Sequence, residues 1–458
     1  MTMPLWVHPI FSALVVLLTL LFASSVLRTR RAAGSTLAWL FIICLLPFIG
    51  IPLYLSLGGR KNRRAGNDVQ PTIPVEELAT WNATRRLLAA SGVSMARAGN
   101  HVEILPTGDY AYGRIFELIS AARKSIHLTT FIFANDKVGN AIVNALAIRA
   151  SEGVEVRILV DSLGATLIRH PSFGSITKAG GKVAYFQPVL HIPLRGRANL
   201  RNHRKLLVVD GTRAIVGGMN LAEEYMGPGE DPQRWIDFGL ELEGFCAVDL
   251  QRIFLRDWSF ATSSEMEQVV AVEQSSVQDI NGVLAQVVAS GPDVSGDPLY
   301  DVLLNAIFEA KSRIWIVTPY FIPDETLSKA LDVAVRRGLE VLIIIPRASN
   351  HRLADLARSS FTRELAATGA KVRLHPKMVH AKALMIDRKM AILGSANFDM
   401  RSLLLNYELG LIVYSESTLD KIEKWIANLN AGCDEFDMKS GAWRELGEGI
   451  GRVIGPLL

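Results

Sequence analysis

A chain that carries one chemistry-bearing pattern twice, at a long period, is constrained to fold as two similar halves. His203-Arg204-Lys205-Leu206-Leu207-Val208-Val209-Asp210 is followed, seven positions after its aspartate, by Gly217-Gly218-Met219-Asn220. The pattern returns as His380-Ala381-Lys382-Ala383-Leu384-Met385-Ile386-Asp387, with Gly394-Ser395-Ala396-Asn397 at the same offset of seven. One such match is a weak signal; two copies with matching glycine and asparagine offsets are beyond coincidence. The flanking texture repeats as well. Ala121 to Leu128, a helical stretch and Glu152 to Asp161 read as strand, helix, strand, and so do Glu309 to Ile316, a helical stretch and Arg337 to Pro346. This predicts an α/β fold with a first half at 101–262 and a second at 297–458. Between them, 263–296 has no aromatic residue and reads as a linker, and 61–100 reads as a connector.

The residue types make sense on strands. A period of two puts His203 and Lys205 on one face, and His380 and Lys382 likewise, so each imidazole has a cation beside it. The glycines after the next short apolar stretch let backbone approach a bound anion, and Asn220 and Asn397 can donate to an oxygen. Two such half-sites can make one phosphate-sized pocket. Asp237 and Glu408, each downstream of its half's asparagine, are candidates to accept the second imidazole N–H and fix its tautomer. Asp210 and Asp387 fall at the opposite parity to their histidines, which makes them structural acceptors. A charged lysine is not an ordinary metal ligand, and no chelating cluster accompanies both copies, so a metal-free site is expected.

The N-terminus reads differently. Leu5 to Leu27 and Ala32 to Gly59 contain no Lys, Arg, Asp or Glu, and each matches the ~20 apolar residues that cross a bilayer. No cation precedes the first run, which argues against a cleaved signal peptide. Residues 1–60 are therefore expected to be a membrane-anchoring helical hairpin. Arg28, Arg30 and Arg31 lie between the runs, and Arg60, Lys61, Arg63 and Arg64 follow the second. If both runs span, the larger second cluster places the catalytic part in the cytoplasm, as in a multi-pass protein of the bacterial inner membrane. Alternatively, Pro47-Phe48-Ile49-Gly50-Ile51-Pro52 breaks the second run into a re-entrant or interfacial hairpin.

Composition narrows the classes. The 458 residues carry 49 Lys+Arg against 45 Asp+Glu, a net charge of +4, so there is no global electrostatic footprint for nucleic acid. A mean hydropathy of +0.24 excludes disorder. Cys44, Cys246 and Cys433 are odd in number and lack any CxxC, which indicates neither a disulfide framework nor a zinc site but reduced thiols facing the cytoplasm.

The paired HxKxxxxD motifs with their downstream Gly and Asn resemble the phospholipase D superfamily, whose fold packs two similar α/β halves around one shared active site. More narrowly the chain resembles the bacterial cardiolipin synthase family. Asn199-Leu200-Arg201-Asn202-His203, Thr318-Pro319-Tyr320-Phe321-Ile322-Pro323-Asp324, Gly394 to Ser402, and the N-terminal Ala38-Trp39-Leu40 and Pro47-Phe48-Ile49-Gly50 carry that resemblance. After Trp235-Ile236-Asp237 this chain has Phe238-Gly239 where many of the family have Thr-His. The resemblance implies phosphatidyl transfer through a phosphohistidine, without cofactor. By analogy His203 is the nucleophile and His380 the general acid. Lys205, Lys382, Asn220 and Asn397, with Ser395, would hold the non-bridging oxygens, and the family motif counts Asp210 and Asp387 among the catalytic set.

Substrate follows less directly. Arg195, Arg197, Arg201, Arg204 and Lys205 form one cationic run, and Lys371, Arg373, Lys377 and Lys382 another, both suited to anionic headgroups. With a bilayer anchor, the implied reaction converts two phosphatidylglycerols to cardiolipin and glycerol. A phospholipase D hydrolase yielding phosphatidic acid would use the same site. A nuclease of the superfamily is disfavoured by the anchor and by the lack of a basic, aromatic-interleaved stripe, so no nucleic-acid partner is expected.

Overall fold

The computed structural model describes residues 7–29, 33–59, 83–188, 198–267, 282–294 and 296–437. The chain divides into two units, residues 1–61 with 187–200, and residues 62–186 with 201–458.

In the larger unit the first half contributes β1 (Arg97–Leu105), β2 (Ser125–Thr130), β3 (Glu155–Asp161), β4 (Lys182–Phe186), β5 (Leu206–Val209), β6 (Arg213–Gly217) and β7 (Gly239–Glu243). The second contributes β8 (Val283–Ser290), β9 (Arg313–Val317), β10 (Phe321–Ile322), β11 (Glu340–Pro346), β12 (Lys371–His375), β13 (Ala383–Ile386), β14 (Met390–Gly394), β15 (Phe398–Asp399), β16 (Glu408–Val413) and β17 (Asp434–Glu435). Fifteen of them form one sheet, ordered β17-β12-β11-β9-β13-β14-β16-β8-β1-β7-β6-β5-β2-β3-β4. Read outward from the β8–β1 seam, the halves repeat strand for strand. Register repeats too: Thr129 lies opposite Leu206 in one half and Val317 opposite Ala383 in the other. That places His203 and His380 at equivalent positions, three residues before Leu206 and Ala383.

The motif strands, Leu-Leu-Val-Val and Ala-Leu-Met-Ile, are buried throughout, as expected of strands covered on both faces. Each fully buried Leu, Ile or Val contributes roughly 1.5–3 kcal/mol, and two separate cores form, one per half. At the seam the buried Asn100 donates to the Arg97 and Val283 carbonyls at 2.7 and 3.1 Å and accepts from the Cys246 N–H at 2.8 Å. The helix Phe245–Thr262 starts there at Gly244, whose φ of 104° favours glycine. A Cβ at Gly244 would come within 2.6 Å of the Gly99 carbonyl oxygen.

Two boundary expectations change. The stretch read as a linker contributes β8, a strand at the centre of the sheet, because Val283-Leu284-Ala285 and Val287-Val288-Ala289 form an apolar run whose lack of aromatics does not stop it pairing; residues 268–281 lie outside the described residues. The connector supplies the helix Ala83–Ala90, which packs on the helix Pro298–Glu309, with Thr84 donating to Glu309 at 3.2 Å.

The smaller unit is helical: α1 (Val7–Arg28), α2 (Ala33–Leu45) and α3 (Pro47–Leu57). The expectation of two full spans is not met, since among the described residues no helix is long and apolar enough to cross a membrane. α1 is a helix of 22 residues with Arg28 in its last turn. The second run breaks at Leu46, before Pro47, into helices of 13 and 11 residues, each less than ~20 residues. Val26, Ile43 and Tyr54 form a small core between the three helices, while Leu20, Phe41, Leu45 and Phe48 are each more than 60% exposed. The clusters Arg30, Arg31 and Arg60 to Arg64 lie outside the described residues.

Candidate active site

Each motif histidine is held in place by a segment from the other half. The His203 N–H donates to the Tyr407 carbonyl at 2.9 Å, and the Tyr407 N–H donates back to Arg201 at 2.9 Å. In the same way His380 donates to Ile236 at 2.7 Å, and Ile236 donates to Met378 at 2.9 Å. The residue after each partner is an acid. Glu408 therefore reaches His203 Nδ1 at 2.9 Å, and Asp237 reaches His380 Nδ1 at 2.7 Å. The two carboxylates singled out in the sequence sit on the imidazoles, but crosswise: neither half orients its own histidine.

Electrostatics follow from burial. Burial opposes ionisation of Asp237, but Lys382 and His380 outweigh it and lower its pKa; His203 does the same for Glu408. Burial, with Lys382 adding to it, pushes His380 down to about 3 against the pull of Asp237. His203 is lowered by burial against the pull of Glu408. Burial likewise brings Lys205 to about 7 and Lys382 to about 8. The substrate-free site thus holds two neutral imidazoles, each donating Nδ1–H to a carboxylate and leaving Nε2 with a lone pair. The Lys382 ammonium donates to the His380 carbonyl and lies 2.6 Å from His380 Nδ1 and 3.1 Å from Nε2. The Lys205 ammonium donates to the His203 carbonyl at 2.8 Å. Phe131 meets the His203 ring edge-on at 5.2 Å, and Tyr225 meets His380 at 4.9 Å.

Other motif residues fall elsewhere. Asp210 and Asp387 are not brought to the histidines. Each lies past the far end of its strand in the left-handed region, φ 53° and 51°. The Asp210 carboxylate accepts from the Arg123, Lys124 and Ser125 N–H groups at 2.9, 2.6 and 2.9 Å. The Asp387 carboxylate accepts from Lys311, Ser312 and Arg313 at 2.7, 2.8 and 2.8 Å. The Ser395 hydroxyl is committed to Glu408 and to the Leu409 N–H rather than open to a phosphate. At the equivalent Gly218 a Cβ would lie 2.4 Å from the Asp237 carboxylate, so that position has room only for glycine. The Asp237 carboxylate also accepts the Phe238 N–H at 2.7 Å.

Several of the cations read as headgroup-seeking are consumed by the fold. Arg201 and Arg204 are buried. Arg201 lies 3.6 Å from Asp161, Lys371 3.6 Å from Glu340 and Arg373 2.8 Å from Glu435; Arg195 and Arg197 lie outside the described residues. Arg204 was missed as a positioning residue. It donates to Asp257 at 2.6 Å, to the Ser290 carbonyl at 3.1 Å and to the Glu408 carbonyl at 3.2 Å. Arg204 thereby ties the His203 loop to the strand that carries Glu408. Asp257 sits in a helix with no motif around it, so nothing in the sequence marks the pair.

A family model described as cardiolipin synthase, phospholipase D-like domain, matches residues 115–230 and 303–430, which contain both motif copies. The chain belongs to this family. A second model, the phospholipase D-nuclease N-terminal family, matches residues 16–59. Similar family members include cardiolipin synthase 1 of Bacillus cereus, 31% identical over 94% of this chain and 90% of its own length. The major cardiolipin synthase of Bacillus subtilis is 30% identical over 99% of this chain and 100% of its own. In fold the chain is similar to the crystal structure of phosphatidylserine synthase from Haemophilus influenzae, with a TM-score of 0.64 at 16% identity, covering 82% of this chain and 100% of that one. The family's two halves are here a single sheet, and its two histidines share one site through their crossed carboxylates.

Proposed function

We propose that this chain is a cardiolipin synthase, a phosphatidyltransferase that joins two phosphatidylglycerols with release of glycerol. The observation that carries the reading is the pair of buried imidazoles, each tautomerically fixed by a carboxylate from the opposite half and each with a lysine beside it. In this reading the free Nε2 of His203 attacks phosphorus, and the bond from phosphorus to the glycerol oxygen breaks. The leaving alkoxide takes a proton from His380, which charges as the anionic substrate arrives. The acceptor hydroxyl then gives its proton to His380 as its oxygen bonds to phosphorus, and the phosphorus–nitrogen bond breaks to restore His203. Lys205 and Lys382 neutralise the non-bridging oxygens in a dry setting, where such charges act most strongly. Asp237 and Glu408 stabilise each imidazolium in turn.

Membrane association is part of the same reading. Exposed leucines and phenylalanines over α1, α2 and α3 suit lipid better than water. The break at Leu46 favours α2 and α3 as a hairpin that enters and leaves one leaflet, with the catalytic unit on the cytoplasmic side of a bacterial cell membrane. The test is mass-spectrometric product analysis of the detergent-purified chain given phosphatidylglycerol alone. Cardiolipin with glycerol supports the transferase; phosphatidic acid as the product would replace it with the hydrolase.

A further inference from the structure

Two exposed leucines, one per half, stand where the chain leaves matching strands. β3 and β11 occupy equivalent places in the sheet order, and each is seven residues long. Leu167 follows Asp161, the last residue of β3, by six positions, and Leu353 follows Pro346, the last of β11, by seven. Leu167 is 68% exposed and Leu353 53%. Each has an exposed arginine close by in the chain, Arg169 and Arg352, and among the described residues neither guanidinium has a carboxylate partner.

Both leucines belong to the histidine end of their half. In the first half the Asp161 carboxylate accepts the N–H of Asn202, the residue before His203, at 2.8 Å. The helix Ser162–Leu167 lies so close to the next strand's exit that a Cβ at Gly164 would come within 1.8 Å of the Phe131 carbonyl oxygen, and the Phe131 ring meets His203. In the second half Asn350 accepts the Tyr320 hydroxyl at 2.5 Å. Thr318, two residues before Tyr320, accepts the Phe398 N–H beside Asn397 at 3.1 Å. Each loop is thus pinned to its own half's motif, and the crossed carboxylates join the two motif ends into one site.

The surroundings of both leucines are poor in acid. Ser162 to Gly181 contains no Asp or Glu, and from Arg347 to Arg363 the sole acid is Asp355, which is engaged by Arg358 at 3.0 Å and the Ser349 N–H at 2.9 Å. Exposed apolar side chains at the opposite ends of the strands lack this setting. Ile148 and Phe308, 57% and 51% exposed, come shortly before β3 and β9 begin. The cations beside them are committed, Arg149 to Glu152 and the Ala122 carbonyl, Arg337 to the Phe308 and Ala310 carbonyls.

We propose that Leu167 with Arg169, and Leu353 with Arg352, are two lipid-contacting prongs that seat the catalytic site on an anionic bilayer surface. The leucines enter the acyl boundary and the guanidiniums bind lipid phosphates, the combination of apolar side chain and free cation that an anionic interface favours. Arginine suits the role because its planar fork matches phosphate oxygens. Resting on the reading of phosphatidylglycerol as substrate, this surface names how that lipid meets a buried pair of imidazoles, with one prong for each half.

Full-length protein carrying Cys44→Ser and Cys433→Ser, with the buried Cys246 left unlabelled, receives one further change at a time: Leu167→Cys, Leu353→Cys, Ile148→Cys or Phe308→Cys. Each new thiol, at a position more than half exposed, takes an environment-sensitive dye. The protein is reconstituted into phosphatidylcholine vesicles with or without phosphatidylglycerol, some lipids bearing a quencher near the head of the acyl chain. With phosphatidylglycerol present, the dyes at positions 167 and 353 should shift to the blue and be quenched, while those at 148 and 308 keep their emission in water. Arg169→Gln with Arg352→Gln should return the first two to their phosphatidylcholine values. Equal quenching at all four positions, or its absence at either leucine position, would overturn the surface. A blue shift that appears without vesicles and grows with protein concentration would also overturn it, because a second copy of the chain would then cover the leucines. Quenching at 167 and 353 in a protein that makes no cardiolipin from phosphatidylglycerol would leave the surface standing and overturn the reading of the reaction instead.

Discussion

His203 is oriented by Glu408, which lies 205 residues further along the chain, at 2.9 Å. His380 is oriented by Asp237, 143 residues before it, at 2.7 Å. The crossing makes both halves necessary to either histidine. In double-mutant cycles read by chemical denaturation, Asp237→Asn should couple with His380→Gln, and Glu408→Gln with His203→Gln, each by about 1–2 kcal/mol. The same-half combinations, Asp237→Asn with His203→Gln and Glu408→Gln with His380→Gln, should be close to additive. Coupling within halves instead would contradict the crossed geometry.

The aspartates of the repeated motif should behave as structural residues. Asn tolerates the left-handed backbone of Asp210 and Asp387 but loses a charged acceptor for three N–H groups. Asp210→Asn and Asp387→Asn should each cost about 1–3 kcal/mol of stability while turnover by the folded fraction stays within about tenfold of wild type. Denaturation midpoints and kcat measured on the same preparations check this.

Removing Arg204 leaves Asp257 buried without its cation. Arg204→Met should destabilise by about 3–5 kcal/mol, and Arg204→Met with Asp257→Leu should recover part of that loss, because two apolar side chains leave no uncompensated charge. Turnover in the double variant should stay low, since the tether from the His203 loop to Glu408 is gone. Recovery of stability together with full turnover would remove Arg204 from the positioning role.

Stability of the substrate-free protein should rise with pH on both sides of neutrality. Lys205 at about 7 and Lys382 at about 8 lie below the ordinary lysine value of 10.5, so from about pH 8 to 10 the unfolded chain holds protons that the folded chain has released. His380, at about 3, does the same on the acid side: its contribution is lost as pH falls from the ordinary value of 6.5 toward 3. Urea midpoints across pH 5–10 check the sign, and Lys382→Met should flatten the alkaline limb.

How far these features could be read beforehand varies with their range. The duplicated motif, the α/β halves and the two acids near the imidazoles were legible, because each is a pattern of short spacing repeated at a long one. The crossing of Glu408 and Asp237 was not, since it depends on which half's segment pairs beside each histidine loop, as in the Asn202–Tyr407 and Ile236–Val379 bridges. Arg204 looked like one more headgroup-seeking cation, and only the buried Asp257 from a distant helix shows otherwise. β8 was hidden because a strand of small and β-branched residues resembles a linker when aromatics are taken as the mark of a core. The break at Leu46 was signalled by Pro47 and Pro52, although the uncharged run around them suggested a continuous span.

Whether both histidines work in one phosphatidyl-transfer site is decided by turnover of phosphatidylglycerol in the purified full-length His203→Ala/His380→Ala variant. Wild-type protein should release glycerol and cardiolipin in equal amounts, and the folded double variant should release neither. Cardiolipin formation undiminished in that variant would contradict a shared site.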